Sequence, residues 1–485
     1  MSEKSGKYDW YQTNCSMPIF LIVILLGVLV TTGFGCKWQS KEVKESMKPV
    51  ELTYWRVWDN KDAFKEIIED FKAIHPNISI SYKKLRYEEY EDVLLNALAE
   101  DRGPDIFSIH NTWLRKYKDK ISPLPETITL PHTVLKGTIK KETAVELKTT
   151  RSLNSKNLKN DFIDLVSKDA VIPEKIKNPE TGKQEEVEKI YGLPLSVDTL
   201  VLFSNRDLLN NAGISRVPQN WQDFQENVKK LTKFDKEGNI ISSGAAIGTS
   251  KNVDRFTDIL SVLMMQNGAQ ITDEQNYATF HLMPKELKRL REIIPGAEAL
   301  RFYTDFANPA KEVYTWNEEM PNSLDAFIQG QVAFFFGYSY HLPIIKARAP
   351  KLNFVTSEMP QITGNKEFNF ANYWVETVSK KTEHPNEAWE FIQFMTSRPK
   401  EAEKYLKATK RPTALRELIA TQLDDVDLGV FAEELLTAQS WYRGKNPEAM
   451  EKTFTEMIEE ALKGEKKLKK IVETAAGKVN QTMKE

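Results

Sequence analysis

The order of strand and helix patterns after the first fifty residues constrains the fold of this chain more than any other feature. Apolar residues over 52–57 predict a strand, and those over 63–71 recur with the spacing of one helix face. A second strand over 78–82, a second helix over 90–98 and a third strand over 105–109 follow. This β-α-β-α-β order predicts a parallel sheet with right-handed crossovers, and therefore an α/β fold.

The strand and helix patterns continue to the C-terminus, and no single linker divides them into two tandem domains. Further strands are predicted over residues 200–203 and 332–336, and residues 235–249 are typical of a hairpin or a loop insertion. Further helices are predicted over residues 221–231, 253–265, 284–294, 324–328 and 388–395, the last capped by Asn386, with a charged helix pair from residue 447 onward.

Residues 126–189 follow the strand and helix patterns less regularly. The stretch 136–161 is charged and has no aromatic residue. We predict an elaborated connection here, with a short helix around 162–166 and a polar turn region over 173–188.

The N-terminal segment contains the one long apolar run, about 19 residues over 17–35, followed by Cys36. It resembles a bacterial lipoprotein signal, which implies that Cys36 is lipidated and becomes the mature N-terminus. An uncleaved membrane anchor and an ordinary cleaved signal are the alternatives. All three place the rest of the chain outside the cytoplasmic membrane, with residues 37–49 as a tether. The absence of a second such run excludes a polytopic transporter.

Charge and cysteine usage exclude several classes of function. The chain has 67 Lys and Arg against 69 Asp and Glu, and this balance argues against a nucleic-acid binder. The only cysteines, Cys15 and Cys36, precede residue 40, so the remainder has no disulfide framework and no thiolate nucleophile. Close histidine pairs, P-loops, G-x-S-x-G and G-x-G-x-x-G motifs are absent. We therefore expect no enzyme activity, no metal and no cofactor.

Five segments, in order, carry a family signature. They are GPDIFSIHNTWL over 103–114, YGLPLSVDTLVLFSNRDLLNNAGI over 191–214, VPQNWQDFQENVKKLT over 217–232, FIQGQVAFFFGYSYHLPII over 327–345 and AWEFIQFMTS over 388–397. Together they resemble the carbohydrate-type extracellular solute-binding proteins of ABC importers, the group that includes maltodextrin-binding protein. Each motif alone is weak, but five in the expected order are specific.

The resemblance implies a two-lobed periplasmic-binding-protein-like α/β fold of class II, with three crossing segments and an N-terminal membrane-targeting helix over 1–36. It implies that lobe one comprises residues 50–196 and 368–409, that lobe two comprises 197–367 and 410–470, and that 471–485 form a tail. It further implies the substrate-binding subunit of an ABC importer, which captures a sugar or oligosaccharide and delivers it to a membrane permease. We expect a monomer.

A sugar receptor needs flat aromatic rings that stack on pyranose faces, and planar polar groups that satisfy the hydroxyls. Ligands of α/β folds bind outside the carboxyl ends of strands, so residues just after the predicted strands are favoured. The candidate ligand-binding residues are Asp59, Asn60, Asn111, Trp113, Asp198, Trp316, Tyr338, Tyr340, Tyr373, Trp374, Arg411 and Trp441. By the resemblance, Asp198 is a binding carboxylate at a crossing and Tyr338 a stacking aromatic.

Each candidate has an ordinary structural alternative. Asp59 could cap a helix, Asp198 could form a hinge hydrogen bond, and Tyr338 could pack under its loop. At the level of function, the same fold could bind a peptide, a polyamine or an anion, and the protein could be a purely structural surface lipoprotein. A secreted glycoside hydrolase is the alternative from another class, because Asp59 and Asp198 could form its carboxylate pair.

Overall fold

The computed structural model describes residues 41–136, 142–178, 182–289 and 292–484. The predicted signal or anchor and Cys36 lie outside the described residues. Within the described ranges, no helix is both long enough and apolar enough to cross a membrane.

Lobe one is built on a five-stranded sheet, which confirms the parallel start predicted from the sequence. Its strands are β1 (Val50–Arg56), β2 (Ile78–Lys84), β3 (Ile106–His110), β4 (Ile121–Ser122) and β16 (Trp374–Ser379). Their order is β2-β1-β3-β16-β4, with β1 parallel to both β2 and β3 and with β16 antiparallel to β3. The late strand β16 inserts beside β3, so lobe one is discontinuous in sequence.

Lobe two is built on a second five-stranded sheet with its own apolar core. Its strands are β10 (Val201–Asn205), β11 (Lys233–Phe234), β12 (Ile240–Ala245), β13 (Val332–Gly337) and β14 (Phe354–Ser357). Their order is β11-β12-β13-β10-β14. Strands β11 and β12 form a hairpin over 233–245, which overlaps the hairpin or loop insertion expected over 235–249, and β12 then pairs in parallel with the apolar strand β13. The predicted two-lobed α/β fold is therefore confirmed.

Helices cover both sheets because their apolar residues recur on one face. In lobe one and its connections they are α1 (Lys41–Ser46), α2 (Lys65–Ile74), α3 (Tyr87–Ala99), α4 (Leu114–Tyr117), α5 (Ser155–Asp161), α6 (Asp164–Ala170), α13 (Pro385–Ser397), α14 (Pro399–Thr409) and α15 (Arg416–Gln422). Towards lobe two they are α7 (Arg206–Asn211), α8 (Trp221–Leu231), α9 (Phe256–Gln266), α10 (Pro295–Asp305), α11 (Ser323–Ile328), α12 (His341–Arg348), α16 (Gly429–Glu433), α17 (Pro447–Lys463) and α18 (Leu468–Lys484).

Three short strands join the lobes: β9 (Asp198–Thr199), β15 (Asn369–Asn372) and β17 (Ala438–Gln439). They form a small sheet in the order β17-β15-β9. The third crossing was expected near residue 410 but lies near 438, because the apolar side chains of 414–418 are buried in lobe one.

The described residues of the stretch 126–189, expected to be an irregular connection, lie mostly in strands and short helices. It contains two antiparallel hairpins, β5 (Thr127–Lys136) with β6 (Glu142–Arg151) and β7 (Val171–Lys177) with β8 (Gln184–Ile190). The polar turn region expected over 173–188 is therefore wrong. Many residues of the second hairpin are exposed and charged, so it lacks the apolar alternation that identifies a half-buried strand.

Two helix predictions also need correction. Residues 285–289 form turns, and the helix expected over 284–294 begins only at Pro295, a residue suited to a first helical position. Helix α13 begins at Pro385 with His384 as its N-cap, so Asn386 lies inside the helix and does not cap it.

Residues 471–485, expected to be a tail, lie almost entirely within α18. Ile471, Val472 and Val479 on this helix are at most 1 % exposed and belong to the core of lobe two. The C-terminal helix is therefore structural.

We predict that Ile471→Ala lowers the free energy of unfolding by about 2–5 kcal/mol, because it removes a buried side chain and leaves a cavity. Urea unfolding measures this change. Lys469→Ala, on the exposed face of the same helix, is the control and should be within about 0.5 kcal/mol of the wild type. Equal stabilities of the two variants would mean that this helix is a loose tail.

Candidate functional site

A cavity of about 500 Å³ lies between the two lobes, beside the crossing strands. Lobe one contributes residues that follow β1 and β3, together with the start of β16. Lobe two contributes the turn after β13 and the start of α17. The cavity thus occupies the position where α/β folds bind ligands, outside the carboxyl ends of strands.

An aromatic wall forms the lobe-one side of the cavity. Trp58 and Tyr87 stack with their ring centroids 5.1 Å apart, and they are 46 % and 49 % exposed. Trp374 meets Trp58 edge to face at 6.2 Å and Trp113 at 5.6 Å. The wall therefore offers large apolar ring surface to anything held in the cavity.

Buried charges of alternating sign lead from the interior of lobe one to the cavity. Glu376 is fully buried and accepts two hydroxyl hydrogen bonds, of 2.6 and 2.7 Å. Arg56 Nη2 lies 3.3 Å from Glu376 Oε1 and 3.3 Å from Asp59 Oδ2. Arg411 Nη2 lies 3.2 Å from Asp59 Oδ1. We call Glu376, Arg56, Asp59 and Arg411 the charge chain.

The charge chain holds Asp59 in its ionised form. Burial alone would raise the pKa of this carboxyl, but Arg56 and Arg411 outweigh burial and hold the pKa below its usual value. The Tyr405 hydroxyl adds a hydrogen bond of 2.9 Å to Asp59 Oδ2. Asp59 therefore meets the cavity as a fixed acceptor.

Asp198 has the opposite electrostatic environment. Its Oδ2 accepts from Ser339 Oγ at 2.6 Å, and its Oδ1 accepts from the backbone N–H groups of Ser339 and Thr199, each at 3.0 Å. Burial nevertheless raises the pKa of Asp198 to about 6, although these hydrogen bonds favour the charged form. Asp198 thus joins the first crossing strand to the turn after β13.

His110 and Asn372 place a neutral polar pair on the cavity wall. His110 Nδ1 lies 2.7 Å from Thr112 Oγ1, and its Nε2 lies 3.2 Å from Asn372 Oδ1. Burial lowers the pKa of His110 to about 4, so the imidazole is neutral near pH 7. Among the residues that the structure describes, no group of three or more His, Cys, Asp or Glu side chains could hold a metal ion.

Lobe two closes the cavity with Arg255 and Tyr340. Arg255 has a φ of 56° directly before α9, and its guanidinium donates to both oxygens of Asp258, at 2.7 and 2.9 Å. The Tyr338 hydroxyl also donates to Asp258, at 2.7 Å, and the Tyr338 ring stacks beneath Tyr340 at 5.8 Å. Tyr340 is therefore the aromatic ring of this turn that faces the cavity.

The structure brings seven of the twelve predicted residues to the cavity. These are Asp59, Trp113, Asp198, Tyr340, Tyr373, Trp374 and Arg411. Their predicted roles in ligand binding remain proposals.

The structure places the other five away from the cavity wall. Asn60 is exposed and accepts from Lys84, whereas Asn111 is buried and donates to Asp169. The three aromatic residues of this group are at most 4 % exposed and belong to the core of lobe two; they are Trp316, Tyr338 and Trp441. Trp316 was expected to be exposed, and Tyr338 to stack on the ligand. The physical reason is the same for all three rings: their polar atoms already donate inside the core.

Several cavity residues were not predicted. They include Arg56, Tyr87, Arg255, Asn372, Tyr405, Lys410, Glu448 and Glu451. Arg56 is the last residue of a buried strand, where a charged side chain is itself a signal that a buried partner exists. The others carry no local signal: a strand end brings Asn372 to the cavity, the interior of α14 brings Tyr405, and helix starts or loops bring the rest.

These features define a two-lobed α/β receptor with a ligand cavity between its lobes. The family model of bacterial extracellular solute-binding proteins matches residues 58–402, which is more than half of the chain. The chain therefore belongs to the bacterial extracellular solute-binding protein family.

Known relatives agree with this membership. The multiple sugar-binding protein of Streptococcus mutans serotype c is 26 % identical over 244 residues, which are 50 % of this chain and 55 % of that protein. The matched region thus spans about half the length of that curated relative. The structure of a cyclic alpha-maltosyl-1,6-maltose binding protein from Arthrobacter globiformis has a TM-score of 0.65 at 17 % identity, covering 90 % of this chain and 99 % of that one. A cyclo/maltodextrin-binding protein complexed with maltotetraose has a TM-score of 0.65 at 15 % identity, covering 90 % and 98 %. These two structures show that the fold is shared.

We predict that protonation of Asp198 makes its contribution to stability depend on pH. Its pKa of about 6 in the folded chain exceeds the value of about 3.9 for an unfolded aspartate, so its contribution is present below pH 4 and lost as the pH rises through 6. The stability of the wild type relative to Asp198→Asn should therefore fall by up to about 3 kcal/mol between pH 4 and pH 7.

Urea unfolding at several pH values measures this difference. Asp59→Asn is the control, for which the expected pH dependence has the opposite sign. The neighbouring arginines lower the pKa of Asp59, so the stability of the wild type relative to Asp59→Asn should rise with pH. A difference between the wild type and Asp198→Asn that does not change with pH would contradict the prediction.

Proposed function

We propose that this protein is the substrate-binding subunit of an ABC importer, and that it captures a sugar or oligosaccharide between its lobes for delivery to a membrane permease. The observation that carries the proposal is the cavity between the lobes, where an aromatic wall faces fixed polar groups. A volume of about 500 Å³ suits a small ligand of this kind.

The side chains of the cavity match the two needs of a sugar ligand. The rings of Trp58 and Trp374 can stack on the apolar faces of pyranoses. Asp59, Asp198 and Asn372 offer oxygens whose positions are already set by hydrogen bonds and ion pairs. Preorganised polar groups bind hydroxyls with little further ordering, which favours affinity.

The names of the relatives support sugars as the ligand class. The Streptococcus relative is named for multiple sugars, and the two structural neighbours are named for maltose-derived sugars. Capture would shift an equilibrium between open and closed lobes, by no more than the difference in the ligand's affinity for the two states.

We further propose that capture takes place outside the cytoplasmic membrane, with the chain tethered there through lipid on Cys36 or through its apolar segment. A tether would raise the effective concentration of the receptor near its permease.

An anionic ligand is the first alternative, because Arg56, Arg255, Lys410 and Arg411 all line the cavity. Three of these cations already have carboxylate partners: Arg56 and Arg411 share Asp59, and Arg255 is held by Asp258. Paired cations offer little charge to an anion, so the structure favours a neutral, hydroxyl-rich ligand.

A glycoside hydrolase is disfavoured by the carboxylates themselves. Both oxygens of Asp59 contact arginine or tyrosine, and both oxygens of Asp198 accept hydrogen bonds within the protein. A general acid and a nucleophile each need a carboxyl oxygen directed at the scissile bond. These two carboxylates suit recognition better than bond cleavage.

A thermal-shift screen of residues 40–485 tests the proposed function. The panel contains maltotetraose, mannobiose, galacto-oligosaccharides and monosaccharides, with peptides, polyamines and simple anions as the competing classes. A sugar at about 100 times its dissociation constant should add about 2.7 kcal/mol of stability and raise the melting temperature. A response confined to peptides, polyamines or anions would refute the sugar proposal.

We predict that Trp374→Ala weakens sugar binding at least tenfold, about 1.4 kcal/mol, because the ring contacts the three other rings of the aromatic wall and faces the cavity. Isothermal titration calorimetry measures the dissociation constant. Trp389→Phe is the matched control, since Trp389 is buried in the core of lobe one, does not line the cavity and should leave the constant unchanged. Equal constants for the Trp374 variant and the wild type would remove Trp374 from the site.

A further inference from the structure

A buried carboxylate on α6, Asp169, lies where the segment 126–189 meets the crossing strands. It is 3 % exposed, and four groups converge on it from other parts of the chain. Its Oδ2 accepts from Tyr373 Oη at 2.7 Å, from Asn111 Nδ2 at 3.0 Å and from Ser440 Oγ at 2.6 Å. Its Oδ1 lies 2.8 Å from Arg443 Nη2. A charge buried in this way is tolerated only when it is paired and hydrogen-bonded.

Two of these partners belong to the lobe-one side of the cavity. Tyr373 lines the cavity, and its hydroxyl points to Asp169. The backbone N–H of Asn111 donates to the carbonyl of Tyr373 at 3.0 Å. Asp169 therefore fixes the ends of β3 and β15, between which His110 and Asn372 also meet the cavity.

The other two partners belong to the segment that leads into lobe two, residues 440–446. Arg443 Nε also donates to the carbonyl of Lys168 at 3.0 Å, so this guanidinium binds the end of α6 at two points. Asn446 caps α17 by accepting from the N–H of Ala449 at 3.1 Å.

The same segment sets where α17 begins. The N–H of Asn446 donates to Tyr442 Oη at 3.0 Å, which ties the start of the helix to the segment that Asp169 holds. Pro447, Glu448 and Glu451, in the first turns of α17, line the cavity from the lobe-two side. Asp169 therefore contacts Tyr373 on the lobe-one wall and the segment that leads to α17 on the other wall, although Asp169 itself does not line the cavity.

We propose that Asp169 is a positioning residue of the binding site, which fixes the Tyr373 wall of lobe one and the start of α17 in lobe two relative to each other. The segment 126–189, which supplies α6, then contributes to ligand affinity although none of its described side chains lines the cavity. This inference rests on the proposed function, because the affinity it affects is that for a sugar.

The central variant is Asp169→Asn, which keeps the shape of the side chain and removes its charge. Its amide oxygen can still accept from Tyr373 and Ser440, but its amide nitrogen then faces Arg443 and cannot pair with it. Tyr373→Phe removes only the hydroxyl that binds Asp169, and Arg443→Lys keeps the charge but loses the fork that also binds Lys168. These two variants still test the proposal if Asp169→Asn does not fold.

The matched control is Asp105→Asn, at the other end of β3. Asp105 likewise accepts from three donors, the N–H and Oγ1 of Thr53 and Oγ1 of Thr382, and it does not line the cavity between the lobes. A purely structural role predicts that both Asp→Asn variants lower the melting temperature and that neither changes binding selectively.

Two measurements are made well below the melting temperature of each variant. Calorimetry is performed with whichever of maltotetraose, mannobiose and galacto-oligosaccharide gives the largest thermal shift with the wild type. Hydrogen exchange is measured without sugar, on peptides that cover residues 440–451. We expect Asp169→Asn to raise the dissociation constant at least tenfold and to speed exchange in this segment, Tyr373→Phe and Arg443→Lys to raise the constant severalfold, and Asp105→Asn to do neither.

Each outcome supports or overturns the inference. An unchanged constant and unchanged exchange in Asp169→Asn, or effects equal to those of Asp105→Asn, would overturn it. If the wild type binds none of the three sugars, the proposed function loses its support, and the exchange measurement alone decides whether Asp169 positions residues 440–451.

Discussion

The cavity depends on one buried interaction, the charge chain Glu376–Arg56–Asp59–Arg411. Its charges alternate in sign, so each buried ion has an opposite neighbour within 3.3 Å. The chain joins the end of β1, the middle of β16 and the segment after α14, which are far apart in sequence. Because an unpaired buried charge costs several kcal/mol, these three elements can pack only in the arrangement that completes the chain. The polar face of the cavity is thereby set before any ligand arrives.

A similar arrangement of paired buried charges surrounds Asp169 at the crossing strands. In both places a carboxylate buried in lobe one pairs with an arginine from a distant segment and accepts hydroxyl hydrogen bonds from tyrosine. The charge chain organises a single lobe, whereas Asp169 also holds the segment that leads into lobe two. The packing within lobe one and the placement of the segment that leads into lobe two therefore depend on different carboxylates.

The sequence predicted those parts of the fold and site whose signals are local. The β-α-β-α-β start and the cavity position of Asp59 follow from strand periodicity and from the rule that ligands bind after strand ends, whereas the position of Asp198 was implied by the resemblance to solute-binding proteins. The burial of Trp316 and Trp441 could not be predicted from local signals, because a tryptophan in a loop is as easily covered by a distant helix as exposed. Arg56 was missed because its partner Glu376 lies on a strand more than three hundred residues later in the chain.

The segment 126–189 shows how residues outside a cavity can contribute to a site. A long connection at the surface costs little, since the entropy of loop closure grows only slowly with length. Its second hairpin carries mostly exposed, charged residues, so the sequence pattern predicted only an elaborated connection there. Helix α6, however, buries Leu165, Val166 and Ala170 against lobe one, and this packing directs Asp169 to the crossing strands. A segment expected to be an irregular connection therefore supplies the carboxylate that contacts Tyr373 on one side and the segment leading to α17 on the other.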